Sequence, residues 1–179
     1  MKLMIMGYGR HGKDTVCEIL KEVFGFTFAS SSYAAAEHAI YPVLRHLIGY
    51  KTLEECYNDR HNHRALWYEL IKAFNYRDGA RLARLVYHSH DIYCGIRNIG
   101  EFNAIKEAGL FDYAIWVDRS KVLPVETTDS CTIHPGLADY ILDNNGDLDE
   151  LRSEIGMMVA RLKVMNAIRM SEVRNERYQ

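Results

Sequence analysis

Four apolar residues, Leu3 to Met6, are followed by a glycine-rich stretch and then by a segment in which Val16, Leu20 and Val23 recur at i, i+4 and i+7. A short continuous apolar run reads as a strand buried on both faces, and a 3.6-residue period reads as an amphipathic helix. The pattern therefore predicts a strand, a tight turn and a helix over residues 12–24. The same alternation continues along the chain, with further strands expected at 26–29, 91–95, 113–117 and 138–142. Ser30, Ser31 and Ser32 offer hydroxyls to cap a helix from about Tyr33, and Pro42 should kink or break it. A helix is expected over 52–75, with Leu66, Leu70 and Phe74 on one face and Trp67 and Ile71 beside it. Another starts at Asp78 and carries Leu82, Leu85 and Val86. A third covers 98–108, closed by Gly109. After the turn Asp143-Asn144-Asn145-Gly146, Asp147 and Glu150 have capping-box spacing, and Leu151, Ile155, Met158 and Leu162 form an apolar stripe. The charged tail from Arg169 to Gln179 is expected to fray.

Strands that alternate with helices imply a parallel sheet covered on both faces, so the expected class is α/β, three-layered and five-stranded. With 179 residues the chain suits one domain at about 150 residues each. Its core would comprise about 1–32, 78–118 and 138–168, with a helical insertion at 33–77. Residues 119–137 show neither period and contain two prolines, Thr127-Thr128 and Ser130, which reads as a surface loop able to act as a lid.

Twenty-two Lys and Arg against 24 Asp and Glu leave a net charge of −2. That excludes a broad basic face for gripping nucleic acid or an anionic membrane, so an anionic ligand must be held locally. The apolar opening stops at Gly7, too short for a leader or a membrane span. Four cysteines without a CxxC pair read as reduced thiols, and the chain is expected in the cytoplasm.

Gly7-Tyr8-Gly9-Arg10-His11-Gly12-Lys13 matches the GxxxxGK pattern of a phosphate-binding loop and lies where that loop requires, after a strand and opening a helix. Such a loop meets the charge of a triphosphate with backbone N–H groups, a helix N-terminus and an ammonium. Asp14 stands where Ser or Thr normally contacts Mg²⁺, with Thr15 next. A carboxylate beside phosphates repels them unless a cation lies between. Asp14 is therefore expected to hold Mg²⁺, directly or through a water, while Thr15 bonds the inner phosphate. ATP and Mg²⁺ are the expected cofactors.

For a second substrate the candidates are Ser32, Arg60, Arg64, Trp67, Tyr68 and Arg97. On a continuous helix Arg60, Arg64 and Trp67 share a face, guanidinium groups bind phosphate, and flat rings stack on bases. Arg97 follows the third strand, at the end where open α/β sheets bind ligands. Arg119 opens the lid segment after the fourth strand and could close onto a transferring phosphoryl group. His61/His63 and His88/His90 are two residues apart within helical patterns, which sends each pair to different faces and argues against a metal site.

Taken together, the GKDT ending of the loop, His63 to Ile71, Tyr93-Cys94-Gly95-Ile96-Arg97, Trp116-Val117-Asp118-Arg119 and Ala138 to Gly146 resemble the phosphate-loop deoxynucleoside monophosphate kinases of bacteriophages, relatives of the adenylate and thymidylate kinases. The likeness implies transfer of the ATP γ-phosphoryl to a deoxynucleoside monophosphate. Gly7 to Thr15 would cradle ATP, Arg64 and Arg97 would grip the acceptor phosphate, and Arg119 would clamp from the lid. Asn144 and Asn145 would border the adenine. Partners would be nucleotides alone, with a homodimer left open and a host-cell cytoplasm implied. One departure is Cys94-Gly95, where the wider group often carries an Asp that organises Mg²⁺. A kinase of another small acceptor or of a modified DNA base, and a nucleotide switch, are the alternatives.

Overall fold

The computed structural model describes residues 1–127 and 131–176. Strand β1 (Leu3–Met6) is completely buried, and its side chains divide between two cores. Leu3 and Ile5 join Val16, Leu20, Ile155 and Met158 on one side of the sheet, while Met4 and Met6 join Leu82, Val86, Phe102 and Trp116 on the other. Alternation with a period of two is what splits one strand between two helical layers.

Strands β2 (Phe28–Ser30), β3 (Ile92–Cys94), β4 (Tyr113–Asp118) and β5 (Tyr140–Asp143) complete a sheet of order β2-β3-β1-β4-β5. Every pairing is parallel, with Ile5 opposite both Cys94 and Ile115. Parallel pairing brings the C-terminal ends of β1, β3, β4 and β5, and the loops that leave them, to one edge. Strand β5 starts at Tyr140 rather than Ala138, because the Asp139 carboxylate accepts the Ala114 N–H that a ladder carbonyl would take (2.7 Å).

One face carries α1 (Lys13–Phe24) and α8 (Leu148–Glu176). The expected capping box of α8 is present: the Glu150 N–H donates to Asp147 Oδ1 and the Asp147 N–H donates to Glu150 Oε2, both at 2.9 Å. Leu151, Ile155, Met158 and Leu162 are each at most 3% exposed. At about 1.5–3 kcal/mol for each buried aliphatic side chain, the stripe is ample to hold the helix on the sheet. Helix α8 runs on to Glu176 instead of fraying from Arg169, whose guanidinium is bonded to the Asp112 carboxylate; residues 177–179 lie outside the described residues. Val23 of α1 is exposed, and Cys17 and Ile19 supply the burial instead.

Between β2 and β3 lies a helical insertion. Ser30 Oγ accepts the Tyr33 N–H and caps α2 (Ser31–Ala35). A π-helical turn, Ala36–Ile40, leads into α3 (Tyr41–Leu47), where Pro42 sits in the first turn and its missing N–H costs nothing. The continuous helix expected over 52–75 is divided into α4 (Leu53–Asn58), a 3-10 turn (Asp59–His61) and α5 (Arg64–Phe74). Asp59 makes the break. Its carboxylate is shared by the Tyr50 hydroxyl, Asn62 Nδ2 (2.5 Å) and His63 Nε2 (3.0 Å), side-chain bonds that compete with helix continuation. Helix α6 (Arg81–Ser89) starts after Asp78, which accepts the Ala80 N–H; there Leu82 and Val86 are buried and Leu85 is exposed. Helix α7 (Ile99–Glu107) is capped by Asn98. The described residues between β4 and β5 are irregular apart from a 3-10 turn, Pro135–Leu137; Thr128 and Ser130 of the expected lid lie outside the described residues.

Candidate functional site

Residues 7–13 leave β1 and enter α1, and two glycines make the path possible. Gly7 has φ 149°, and a Cβ there would stand 2.7 Å from the Val117 carbonyl oxygen; Gly12 has φ 90°, and a Cβ there would clash with Asn144 Nδ2. Gly12 gives α1 no side-chain cap, which leaves the N–H groups of the first turn available to an anion. Lys13 Nζ donates to the Tyr8 carbonyl at 2.7 Å. Burial pulls the Lys13 ammonium below its ordinary pKa, against the neighbouring carboxylates that raise it.

The loop is braced from behind. Asn144, at the end of β5 and 5% exposed, donates from Nδ2 to the His11 carbonyl at 2.8 Å. The Arg119 guanidinium donates to Asn144 O at 2.6 Å and to its Oδ1 at 3.2 Å. His11 is fully buried, and its Nδ1 accepts the Arg119 N–H at 3.1 Å. That contact fixes the tautomer, so Nε2 carries the proton and faces the Pro124 carbonyl at 3.4 Å. Arg10, with φ 62°, is exposed on the loop.

In front of the loop a cavity of about 990 Å³ extends to the helical insertion. Gly9, Arg10, Lys13 and Asp14 line it on the β1 side, and Ser32, Arg60 and Tyr68 line it on the insertion side. Arg97 is also in the wall, and it donates from Nη1 to Glu126 Oε1 at 2.7 Å. The other oxygen of Glu126 accepts the Gly9 N–H, also at 2.7 Å. Burial pushes the Glu126 carboxyl up, but the Arg97 guanidinium and the Gly9 N–H outweigh it and hold it below its ordinary pKa. Arg60 is held against Tyr57, with its guanidinium 4.1 Å from the ring centroid and Nη1 donating to the Tyr57 carbonyl. Ser32 Oγ lies 3.3 Å from the Tyr57 hydroxyl.

Several expected site residues are engaged elsewhere. Trp67 is 6% exposed and packs with Ala36, Ile40, Leu44 and Cys56, so its ring faces the core of the insertion rather than a base. Arg64 is exposed, outside the cavity wall, with Nη2 against His61 Nδ1 at 3.3 Å. Because the helix breaks at Asp59–His61, Arg60, Arg64 and Trp67 do not share a face. Arg119 is directed to Asn144 and not into the cavity, and Asn145 bonds Asp143 and Asp118. Asn144 is a brace behind the loop, with its side chain used up.

Asp14 and Thr15 are exposed at the start of α1, and the Cys94 thiol lies 3.8 Å from Asp14 Oδ1. A hard divalent cation takes oxygen ligands, and the Asp14 carboxylate beside the loop fits Mg²⁺.

Two carboxylates are site residues the sequence reading does not assign: Glu101, a candidate there only for an ion pair with Arg97, and Glu126, which makes that pair instead. Glu126 lies in a segment without periodicity. Glu101 lines the cavity and accepts from the Tyr93 hydroxyl at 2.8 Å. Burial raises its pKa against that bond, which favours the neutral, hydrogen-donating acid. Its place one turn past Arg97 was the available signal.

The sheet order, the helical layers and a glycine loop between β1 and α1 define a phosphate-loop α/β fold. That fold is shared with a gluconokinase from Sinorhizobium meliloti, 15% identical over 94% of this chain and 96% of that one, with a TM-score of 0.50. It is shared equally with shikimate kinase from Bacteroides thetaiotaomicron, 10% identical over 91% and 98% of the two chains, also with a TM-score of 0.50. No family model and no curated protein matches the sequence. No described helix is long and apolar enough to cross a membrane.

Proposed function

We propose that the chain is an ATP-dependent kinase of a deoxynucleoside monophosphate, of the bacteriophage type its sequence resembles, yielding ADP and a deoxynucleoside diphosphate. The observation that carries the reading is the sharing of one cavity by Lys13 of the phosphate loop and by Arg97 at the end of β3. A pocket for one drug-sized ligand measures about 300–1,000 Å³. At about 990 Å³ this cavity is at the top of that range and has room for the reacting ends of two substrates.

In this reading an oxygen of the acceptor phosphate attacks the γ-phosphorus of ATP, and the bond from that phosphorus to the β–γ bridging oxygen breaks. No general base is required, because a phosphate monoester is largely dianionic near neutral pH. Lys13 and Arg97 neutralise charge on the transferring group, while backbone N–H groups of the loop fix its position. Asp14 would hold magnesium, which neutralises phosphate charge when bound, and Thr15 would bond the inner phosphate. Tyr68 offers a face to the acceptor base, and the Glu101 carboxyl offers it a hydrogen-bonding group.

The test is ADP formation from MgATP with a panel of mononucleotides. ADP formed in dependence on one of them supports the reading, and none with any would refute it. Arg97→Ala should lower kcat/KM for the acceptor by about 10²–10³. A second reading, a kinase of a non-nucleotide acceptor, is favoured by the two solved neighbours, both named for such substrates. Gluconate and shikimate therefore belong in the panel.

A further inference from the structure

Glu126 has an unusual position. One carboxylate oxygen accepts a backbone N–H of the phosphate loop at Gly9, and the other accepts from Arg97, each at 2.7 Å. An anion bridging these two groups lies between the loop that would hold the donor and the arginine that would hold the acceptor. Gly9 belongs to the half of the loop remote from α1, and a Cβ on it would meet Arg97 Nη2 at 3.3 Å and Glu126 Oε1 at 3.0 Å. The space is therefore already filled, by a group with the charge of a phosphate oxygen.

The segment that carries Glu126 is fastened by polar contacts. The N–H groups of Val122 and Leu123 return to the Arg119 carbonyl, and the Pro124 carbonyl lies against His11 Nε2. Beyond it the Thr132 N–H donates to the Arg97 carbonyl at 2.9 Å. Val122 and Val125, on either side of Pro124, are more than half exposed. Residues 119–126, a strap held by these hydrogen bonds and carrying two exposed valines, can lift locally without opening the core, while Cys131 further along stays buried in it.

We propose that Glu126 is a tethered stand-in for the terminal phosphoryl group, and that it must leave Gly9 and Arg97 before MgATP can seat fully. The proposal rests on the phosphate-loop reading of residues 7–15. It makes the strap a device that keeps Arg97 paired and the loop filled until a nucleotide carrying a third phosphate displaces the carboxylate. A diphosphate leaves the Gly9 end of the loop empty and competes less.

The experiment uses the full chain and its Glu126→Gln variant, with Glu126→Ala as a second variant in case the amide still bonds Arg97. Without ligand, the Gly9 amide resonance in a ¹H–¹⁵N spectrum should shift on substitution. In calorimetry MgATP should bind the variants about tenfold more tightly, the factor expected if the strap is engaged about nine-tenths of the time. MgADP should change much less. An unmoved Gly9 resonance, or MgATP affinity that is unchanged or weaker in both variants, overturns the proposal while leaving the kinase reading intact. Failure of all three proteins to bind MgATP overturns the phosphate-loop reading and this proposal together.

Discussion

Removing the side chain of Asn144 tests whether the phosphate loop is held by its brace. In Asn144→Ala the His11 carbonyl loses a 2.8 Å bond and the Arg119 guanidinium loses its contact with Oδ1, while the backbone bond from Arg119 to residue 144 can persist. The site is closed to solvent, since Asn144 is 5% exposed and His11 is fully buried. Leaving a buried carbonyl without its partner costs about 1–3 kcal/mol, and the weakened charged contact adds to that, so the loss should be about 2–4 kcal/mol. At about 2–4 °C per kcal/mol for a chain of this size, Tm should fall by roughly 4–16 °C. Urea denaturation gives the free energy, and differential scanning calorimetry gives the Tm. Nucleotide binding should weaken as well, because the loop is then less well organised. A variant within about 0.5 kcal/mol of the parent, the usual range of a neutral surface change, would refute the reasoning.

Glu101→Gln should stabilise the unliganded chain near neutral pH. Burial raises the Glu101 pKa, so its contribution is complete below the ordinary carboxylic range and is lost as pH rises through the higher folded value. The two denaturation curves should therefore converge on acidification, and a constant gap would contradict this. Asp112 is the opposite case: burial pushes it up, but the Arg169 guanidinium and the Lys2 N–H prevail and hold it low. Arg169→Met should cost about 1 kcal/mol above the ordinary carboxylic range, a low figure because Arg169 is half-exposed, and the cost should vanish as acid protonates Asp112; a pH series of urea midpoints reads it. Tyr68→Ala should raise the acceptor KM by about tenfold, from about 1–3 kcal/mol per stacked base, while Trp67→Phe should lower stability and leave that KM unchanged. Steady-state kinetics on both variants decides between the exposed ring and the buried one.

What could be read from the sequence was local. The apolar run at Leu3–Met6, the glycines after it and the helical period that follows lie within one stretch of chain, and each has its own chemical signature. The same holds for α8, where Asp147, Glu150 and the stripe from Leu151 to Leu162 are governed by neighbours three and four residues away. Trp67 was illegible for a complementary reason. A helical period shows that one face is apolar but not what covers it, and the cover came from Ala36, Ile40 and Leu44, across a turn no period marks. The break at Asp59 depends on Tyr50, and the position of Glu126 depends on groups 29 and 117 residues away. Contacts across 29 and 117 residues lie outside any window of helical or strand length, and a single side-chain bond such as that from Tyr50 to Asp59 sets up no period within one.

Three cations around the cavity, Lys13, Arg60 and Arg97, differ in what they are bonded to. Lys13 is bonded to the Tyr8 carbonyl and Arg60 to the Tyr57 carbonyl and ring, both uncharged partners. Arg97 is bonded to a carboxylate. Exchanging a neutral acceptor for a phosphate oxygen strengthens a hydrogen bond, because ionised acceptors bind about twice as strongly. Exchanging one anion for another gains much less and leaves the displaced carboxylate to be rehydrated. If the cavity takes a phosphate as proposed, Lys13 and Arg60 favour it outright, whereas at Arg97 the outcome depends on whether Glu126 has withdrawn. The Arg97–Glu126 pair is therefore where the affinity of the cavity for anions is most open to adjustment, and a change of a single carboxyl there should alter binding more than the loss of any exposed lysine on the same face.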